Sequence, residues 1–250
     1  LIDDNWGVSK QFASYRELNI PGASAGVSIY FPENISNLER ALAKLKEGRA
    51  LSGGDKSARA DAAVDKVFAQ GALLLTQWQT LEPYYETRAY RDDALAKGKA
   101  AHPALMTAYE GTIAAIEELD VALTEYLRAR DAARVEAYRK GGHTDAANVM
   151  QAMQLADHFS TAVIDKNVAE ADRLMPQLEA ALVELRKSEA AMASGAENKV
   201  EFDLISGYLG RMVGAWRDYK QDQDDSDRET IVDQYNDAVE QLNDIEFPAP

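Results

Sequence analysis

The sequence predicts an all-α fold: an elongated antiparallel bundle of long amphipathic helices behind an irregular N-terminal segment. Three observations carry this reading. Apolar residues recur at steps of three and four over most of the chain, short clusters of Gly, Pro and polar residues punctuate those stripes, and only one brief run leans towards β structure. A helix with one apolar stripe must bury it against another, so several stripes joined by short turns describe a bundle. With 46% hydrophobic residues the chain has the material for a sizeable core. The expected organisation is a single domain over residues 1–250, with 1–33 irregular and 34–247 forming the bundle.

At the N-terminus, Asp3 to Leu18 reads as a helix carrying Trp6, Phe12 and Tyr15. Asn19 to Pro32, which contains Pro21-Gly22, reads as an irregular crossing segment. Its β-leaning run Val27-Ser28-Ile29-Tyr30-Phe31 has no partner with which to build a sheet. After the breaker Ser52-Gly53-Gly54, Asp55 or Ser57 opens a long helix striped by Val64, Val67, Phe68, Gly71, Leu74, Leu75, Trp78, Leu81 and Tyr85. Pro83 near its end predicts a kink or a stop.

A second stripe runs Leu105, Tyr109, Ile113, Ile116, Leu119, Leu123, Leu127 and closes at Gly141-Gly142, with Thr144 the expected N-cap of the next helix. Val149, Met153, Ala156, Phe159 and Val163 continue past Asn167 into Ala171, Leu174, Leu178, Leu182 and Leu185. Asn167 marks a cap between two helices, one continuous kinked helix being the alternative, and Pro176 predicts a helix that begins or bends shortly before it. Beyond Ser194-Gly195, Val200, Leu204, Ile205, Tyr208, Met212 and Trp216 form another helix. The polar run Gln221 to Asp227 reads as a loop before a last helix striped by Ile231, Tyr235, Val239 and Leu242.

Charge narrows the functional classes. Asp and Glu total 42 against 27 Lys and Arg, a formal net charge of −15, and no basic run offers a face for phosphates, so nucleic acid is not an expected partner. There is no Cys, hence no disulfide, thiolate nucleophile or Cys-bound zinc. No apolar run reaches the ~18–20 residues of a membrane span. The first residue is Leu1 rather than Met, so a signal peptide or lipid-attachment cysteine would lie upstream of it.

Motifs that carry chemistry are absent or defective. Lys99, Lys140 and Leu155 stand three residues before His102, His143 and His158, so the Glu-x-x-His pattern of metal-binding bundles is missing. His158 beside Phe159 reads as a half-buried or surface histidine. Asp222, Asp224 and Ser226 fall on three ligand places of an EF-hand loop, but Asp227 stands where the Gly should be and Asp233 where the bidentate Glu should be. Capping of the last helix by Ser226 or Asp227 is the simpler reading. Gly22-Ala23-Ser24-Ala25-Gly26 matches Gly-x-Ser-x-Gly without the strand that a nucleophile elbow needs. The expectation is a non-enzymatic protein with no cofactor and no metal.

The candidate surface lies at the turn between the two longest helices: Tyr84, Tyr85, Tyr90, Arg91, Asp92 and Asp93, together with His102. One reading packs the tyrosines into the end of the bundle, with Asp92 or Asp93 capping the next helix. The other makes the turn a recognition surface for a protein partner, or for a small molecule or cation that would bind there or in a pocket inside the bundle.

Tyr84-Tyr85, Tyr90, Asp92-Asp93, Ala96-Lys97-Gly98-Lys99 and His102-Pro103 resemble a segment of the YiiG-like family of bacterial envelope lipoproteins. Ile231 to Asp237 is similar to that family's closing helix. The resemblance implies an exported helical protein, periplasm-facing and held by a lipid anchor where one is attached. It brings no known reaction.

Overall fold

The computed structural model describes residues 7–24, 26, 28–29, 35–50 and 57–249. It is 83% helical, with eight α-helices and no strand among those residues, which is the all-α class expected. Trp6, the breaker Ser52 to Gly54, Asp55, and Val27, Tyr30 and Phe31 of the β-leaning run lie outside the described residues. The chain divides into two compact units, residues 1–126 and 127–250. The boundary falls inside a helix, between Tyr126 and Leu127, where no Gly, Pro or polar cluster marks it.

The first unit holds α1 (Val8–Glu17), α2 (Ile35–Ala50), α3 (Ala58–Glu86), a 3-10 turn (Ala89–Arg91) and the first part of α4 (Ala96–Lys140). Ser57, rather than Asp55, opens α3: its Oγ accepts the amide of Ala60 at 3.2 Å. α3 runs through Pro83 and ends three residues later at Glu86, with the Thr87 amide bonded to the Pro83 carbonyl at 3.1 Å. Val64, Val67, Gly71, Leu74, Trp78, Leu81 and Tyr85 are all buried, so the 3.6-residue stripe faces the core as the pattern requires. Trp78 Nε1 donates to the Tyr109 hydroxyl at 2.9 Å, which joins α3 to α4 through a buried contact. The ion pairs Arg59–Glu125 and Lys66–Glu118 also bridge these helices, but they are about half exposed and contribute roughly 0–1 kcal/mol each. Packing of the aromatic stripe therefore dominates.

The second unit holds the rest of α4, α5 (Thr144–Ile164), α6 (Val168–Ala191), α7 (Lys199–Asp222) and α8 (Asp225–Asn243). Gly142, in the left-handed region at φ 80°, makes the exit from α4, and the amide of His143 returns to the Tyr138 carbonyl at 2.9 Å. His143 occupies the N-cap place of α5, one residue before the expected Thr144, and no side chain caps that end. Asn167 does separate two helices, its Oδ1 accepting the amide of Glu170 at 3.2 Å. α6 begins at Val168, eight residues before Pro176, and runs through it. A proline in a helix interior costs about 3 kcal/mol. The buried Leu174, Met175, Leu178, Leu182 and Leu185 on the same helix each contribute about 1.5–3 kcal/mol, so the stripe wins.

The loop expected over Gln221 to Asp227 shrinks to Gln223 and Asp224. Gln223 turns left-handed at φ 58°, and the cap is Asp224, whose Oδ1 accepts the amide of Ser226 at 2.9 Å. Ser226 and Asp227 are already helical. α5 packs on α6 and α8, and α7 packs on the same two, so the four close a ring around a core containing Phe159 and Trp216 edge to face at 5.5 Å.

Candidate functional site

The tyrosine turn is built from the end of α3, the 3-10 turn and the start of α4. Tyr84 and Tyr85 lie in the last turn of α3, and Arg88, Ala94 and Leu95 then take left-handed backbone conformations at φ 60°, 52° and 67°. Such residues cost roughly 1–2 kcal/mol each when they are not Gly, so the surrounding contacts must hold the turn. They do. Tyr84, Tyr85 and Tyr90 are 6%, 2% and 0% exposed, with ring centroids 5.0 Å (84 to 85), 6.0 Å (85 to 90) and 6.4 Å (84 to 90) apart. The Tyr84 hydroxyl donates to Asp93 Oδ1 at 2.7 Å, and Lys97 Nζ lies 5.3 Å from the centre of the Tyr84 ring. The Tyr90 hydroxyl accepts the amide of Ile29 at 3.2 Å, which ties the crossing segment to the turn.

Of the seven residues singled out in the sequence, the structure brings four together: Tyr84, Tyr85, Tyr90 and Asp93. Arg91 and Asp92 are not among them; Arg91 is exposed and Asp92 turns to the rim. Asp93, not Asp92, caps α4, its Oδ2 accepting the amide of Lys97 at 3.0 Å. His102 joins a different group, its Nδ1 paired with the Tyr15 hydroxyl at 2.9 Å beside the Phe12–Tyr109 stack. Burial and the Asp93 carboxylate push the Tyr84 phenol up to about 12, and burial raises Tyr85 further. The Lys97 amide and the Tyr84 hydroxyl hold Asp93 below the ordinary carboxylate range. At neutral pH the phenols are therefore protonated and the carboxylate is already engaged. The rings form an interior cluster, and the turn's exposed rim is made by Glu86, Thr87, Arg88, Arg91, Asp92 and Ala94.

The second unit contains two further arrangements that sequence reasoning did not reach. Around His158, Asp157 accepts the Tyr235 hydroxyl at 3.0 Å and Glu170 accepts two bonds from Arg173 at 2.5 and 2.7 Å. That leaves His158 Nε2 and Arg128 Nε buried with no hydrogen-bond partner. Burial, then the Arg128 charge, pulls the imidazole below its ordinary value. The acidic segment before α8 is spent on its own backbone: Asp222 Oδ1 accepts the amide of Asp224 at 3.1 Å, and Asp224 caps Ser226. No group of three or more His, Asp or Glu among the described residues is disposed to hold a metal ion. Ser24 lies in irregular backbone after α1, with no strand among the described residues to form an elbow.

The other arrangement is a cavity of about 460 Å³ at one end of the four-helix ring. Its walls come from the α4–α5 turn at Gly142 to Ala146, from Met192, Asn198 and Phe202, and from the C-terminal segment Ile245 to Pro248. That segment is pinned at two points. Asn198 Nδ2 donates to the Glu246 carbonyl at 3.2 Å, and Asn198 Oδ1 accepts the Glu246 amide at 3.3 Å. Phe247 packs on Tyr138 with centroids 5.8 Å apart and lies under the Arg134 guanidinium at 5.6 Å. No local motif signals the cavity, because three segments far apart in sequence make it.

Neither the curated proteins nor the solved structures include a match to this chain. A family model described as Protein of unknown function (DUF3829) matches residues 10–206, well over half of the sequence, and the chain belongs to that family.

Proposed function

We propose that this is a non-enzymatic, exported helical protein of the bacterial envelope that works through protein–protein contacts, as an interaction or assembly module. The likeness of the Tyr84 to Pro103 segment to YiiG-like lipoproteins supports the location and a lipid anchor. The observation that carries the interaction reading is the outward apolar side chains of the second unit. Val183 is 50% exposed, and Val200 and Leu204, one turn apart on α7, are 66% and 38% exposed, although both helices have a filled inner stripe. Exposed apolar side chains one helical turn apart are the kind of element a partner covers. The acidic surface favours a partner with a basic rim.

The experiment is cross-linking in the native host followed by affinity capture, comparing wild type with Val200→Asp and Leu204→Asp. The expected result is a specific partner lost from both variants while their melting temperatures stay near wild type. An unchanged set of captured proteins sinks the reading. Fractionation and labelling with radioactive palmitate test the location and the anchor separately. A second reading, a protein that binds a small molecule, is favoured by one observation: the cavity between the α4–α5 turn and the C-terminal segment.

A further inference from the structure

We infer that the partner covering the outer face of α7 is a second copy of this chain, whose own α7 docks antiparallel across Gly207. The inference rests on the interaction reading and names its partner. Val200 and Leu204 share one helix face with Asp203, Gly207, Gly210 and Gly214, because steps of three, four and seven residues return to the same side. The opposite face buries Ile205, Leu209, Met212 and Trp216. Glycine inside a helix weakens it relative to alanine, so three on one face need a reason. The chain's own packing gives none. Gly207, Gly210 and Gly214 are not left-handed. A Cβ added at Gly214 would meet nothing within 4 Å, one at Gly207 only Arg211 Nη1 at 3.5 Å, and one at Gly210 only Arg186 Nη2 at 2.9 Å. Both are the movable ends of exposed side chains, so the room these glycines leave serves something outside the chain.

The face is complementary to itself. With Gly207 on the two-fold axis, Val200 stands seven residues before the axis and Gly214 seven after it, so each valine faces the other copy's Gly214. Leu204 seats beside the other copy's Gly207. Apolar projections thus meet gaps, and each contact occurs twice, as a two-fold interface requires. Charge selects the same partner. A net charge of −15 sets copies of the chain against one another, so a second copy needs local attraction. Asp203 falls opposite Gly210 of the other copy, and Arg186 of α6 lies over Gly210. Asp203 and Arg186 are exposed, and neither has an ion-pair or hydrogen-bond partner among the described residues. Arg186 is therefore the basic rim group that an acidic chain calls for, and the pairing satisfies it twice. α7 spans 24 residues, about 36 Å, so two such faces roughly 10–12 Å wide bury about 700–900 Å² together, with Val183 and Arg186 adding to it. That is the size of a weak, reversible interface.

Sedimentation equilibrium of the full wild-type chain is expected to show monomer and dimer in exchange, with a Kd of roughly 1–100 μM. Gly214→Leu fills the gap opposite Val200 and should weaken the dimer at least about tenfold. Its helix content and melting temperature should not fall, since a Cβ there meets nothing inside the chain. Asp203→Arg should weaken the dimer by about tenfold as well, and adding Arg186→Asp should restore it by reversing the pair. The chain has no Cys, so one introduced cysteine reports the register directly. Gly207→Cys, on the axis, is expected to oxidise to a disulfide-linked dimer, while Leu73→Cys, exposed in the first unit, stays monomeric. A wild type that remains monomeric, with no cross-link through Gly207→Cys, overturns this inference. The interaction reading survives that result if Val200→Asp and Leu204→Asp still lose a different captured protein, and falls with it if capture is unchanged. Equal cross-linking of the two cysteine variants, or a dimer that withstands both Gly214→Leu and Asp203→Arg, overturns the proposed face.

Discussion

Tyr84 and Asp93 lock the turn between the two long helices: the phenol donates to one carboxylate oxygen at 2.7 Å while the other oxygen caps α4 at the Lys97 amide. Both bonds favour the ionised acid, and the Asp93 carboxyl is held below its ordinary range. A depressed folded value means stability that is present above the unfolded pKa, near 4, and lost as the pH falls through the folded one. Thermal melts from pH 7 to pH 2 should show wild type losing more stability below about pH 4 than Asp93→Asn. Parallel curves for the two proteins would remove Asp93 from the account.

Packing and recognition at the same turn are separated by comparing inner with outer residues. Tyr85→Ala removes a ring that is 2% exposed and should cost about 3–5 kcal/mol, as expected for a large aromatic in a core. Tyr90→Phe leaves the Ile29 amide buried without its acceptor and should cost about 1–3 kcal/mol. Arg91→Ala and Asp92→Ala, on the rim, should stay within about 0.5 kcal/mol of wild type. Denaturant melts that leave the tyrosine variants near wild type would contradict the interior cluster.

The helices were legible in the sequence because periodicity needs only local information. Val64 to Tyr85 and Ala171 to Leu185 bury the stripes their spacing implies. What was not legible depends on choices among equivalent residues or on distant chain segments. Asp222, Asp224, Ser226 and Asp227 can all cap a helix, and the left-handed turn at Gln223, a residue type that does not announce one, selects Asp224. Asp93 prevails over Asp92 because its two oxygens reach Tyr84 and Lys97 together. The burial of the three tyrosines was one of two readings of the turn, and pairing with Ile29, 61 residues before Tyr90, lay beyond any local pattern. The cavity likewise needs the C-terminal segment folded back to Asn198.

His158 gives a pH dependence in another window. Its folded pKa is depressed, chiefly by burial and then by Arg128, with Arg173 adding to the shift and Asp157 and Glu170 opposing it. The folded state therefore resists protonation, and stability should fall as the pH drops below the unfolded value near 6.5. Melting temperature measured between pH 7.5 and pH 5 should decline more steeply for wild type than for His158→Gln, which stays neutral throughout. Equal slopes would show that the imidazole protonates freely.

Arg228 closes the C-terminus of α5 from α8. Its Nε and Nη2 donate to the Val163 carbonyl at 3.1 and 2.9 Å, and Nη2 also reaches Ile164 at 3.1 Å, with the side chain 14% exposed. Arg228→Ala should cost about 1–3 kcal/mol by leaving those carbonyls without their donor. Arg228→Lys should recover only part of that, because one ammonium cannot reproduce the planar fork. Hydrogen exchange should report the change first in the last turn of α5. Full recovery by Lys would mean that charge at the helix end, rather than the fork, is what matters.

Two glycines on α4 test whether the tyrosine cluster is as tightly packed as its geometry implies. A Cβ added at Gly98 would stand 2.5 Å from the Tyr85 hydroxyl and 3.4 Å from Tyr84 Cε1, both belonging to buried rings. A Cβ at Gly111 would also meet an atom at 2.5 Å, but that atom is Oε1 of Gln70, the far end of a flexible side chain that is only half-buried. Replacing Gly by Ala gains about 1 kcal/mol at Gly111, in the interior of α4, and less at Gly98, which lies in its first turn. At Gly111 the glutamine rotates away and most of that gain should survive, so Gly111→Ala should match or exceed wild-type stability. At Gly98 the rings cannot yield without disturbing Asp93 and the left-handed turn, and overpacking of this kind costs about 1–3 kcal/mol. Gly98→Ala should therefore be destabilising on balance. Chemical denaturation of the two variants beside wild type decides the matter, and a Gly98→Ala protein at least as stable as Gly111→Ala would mean that the tyrosine cluster has room to move.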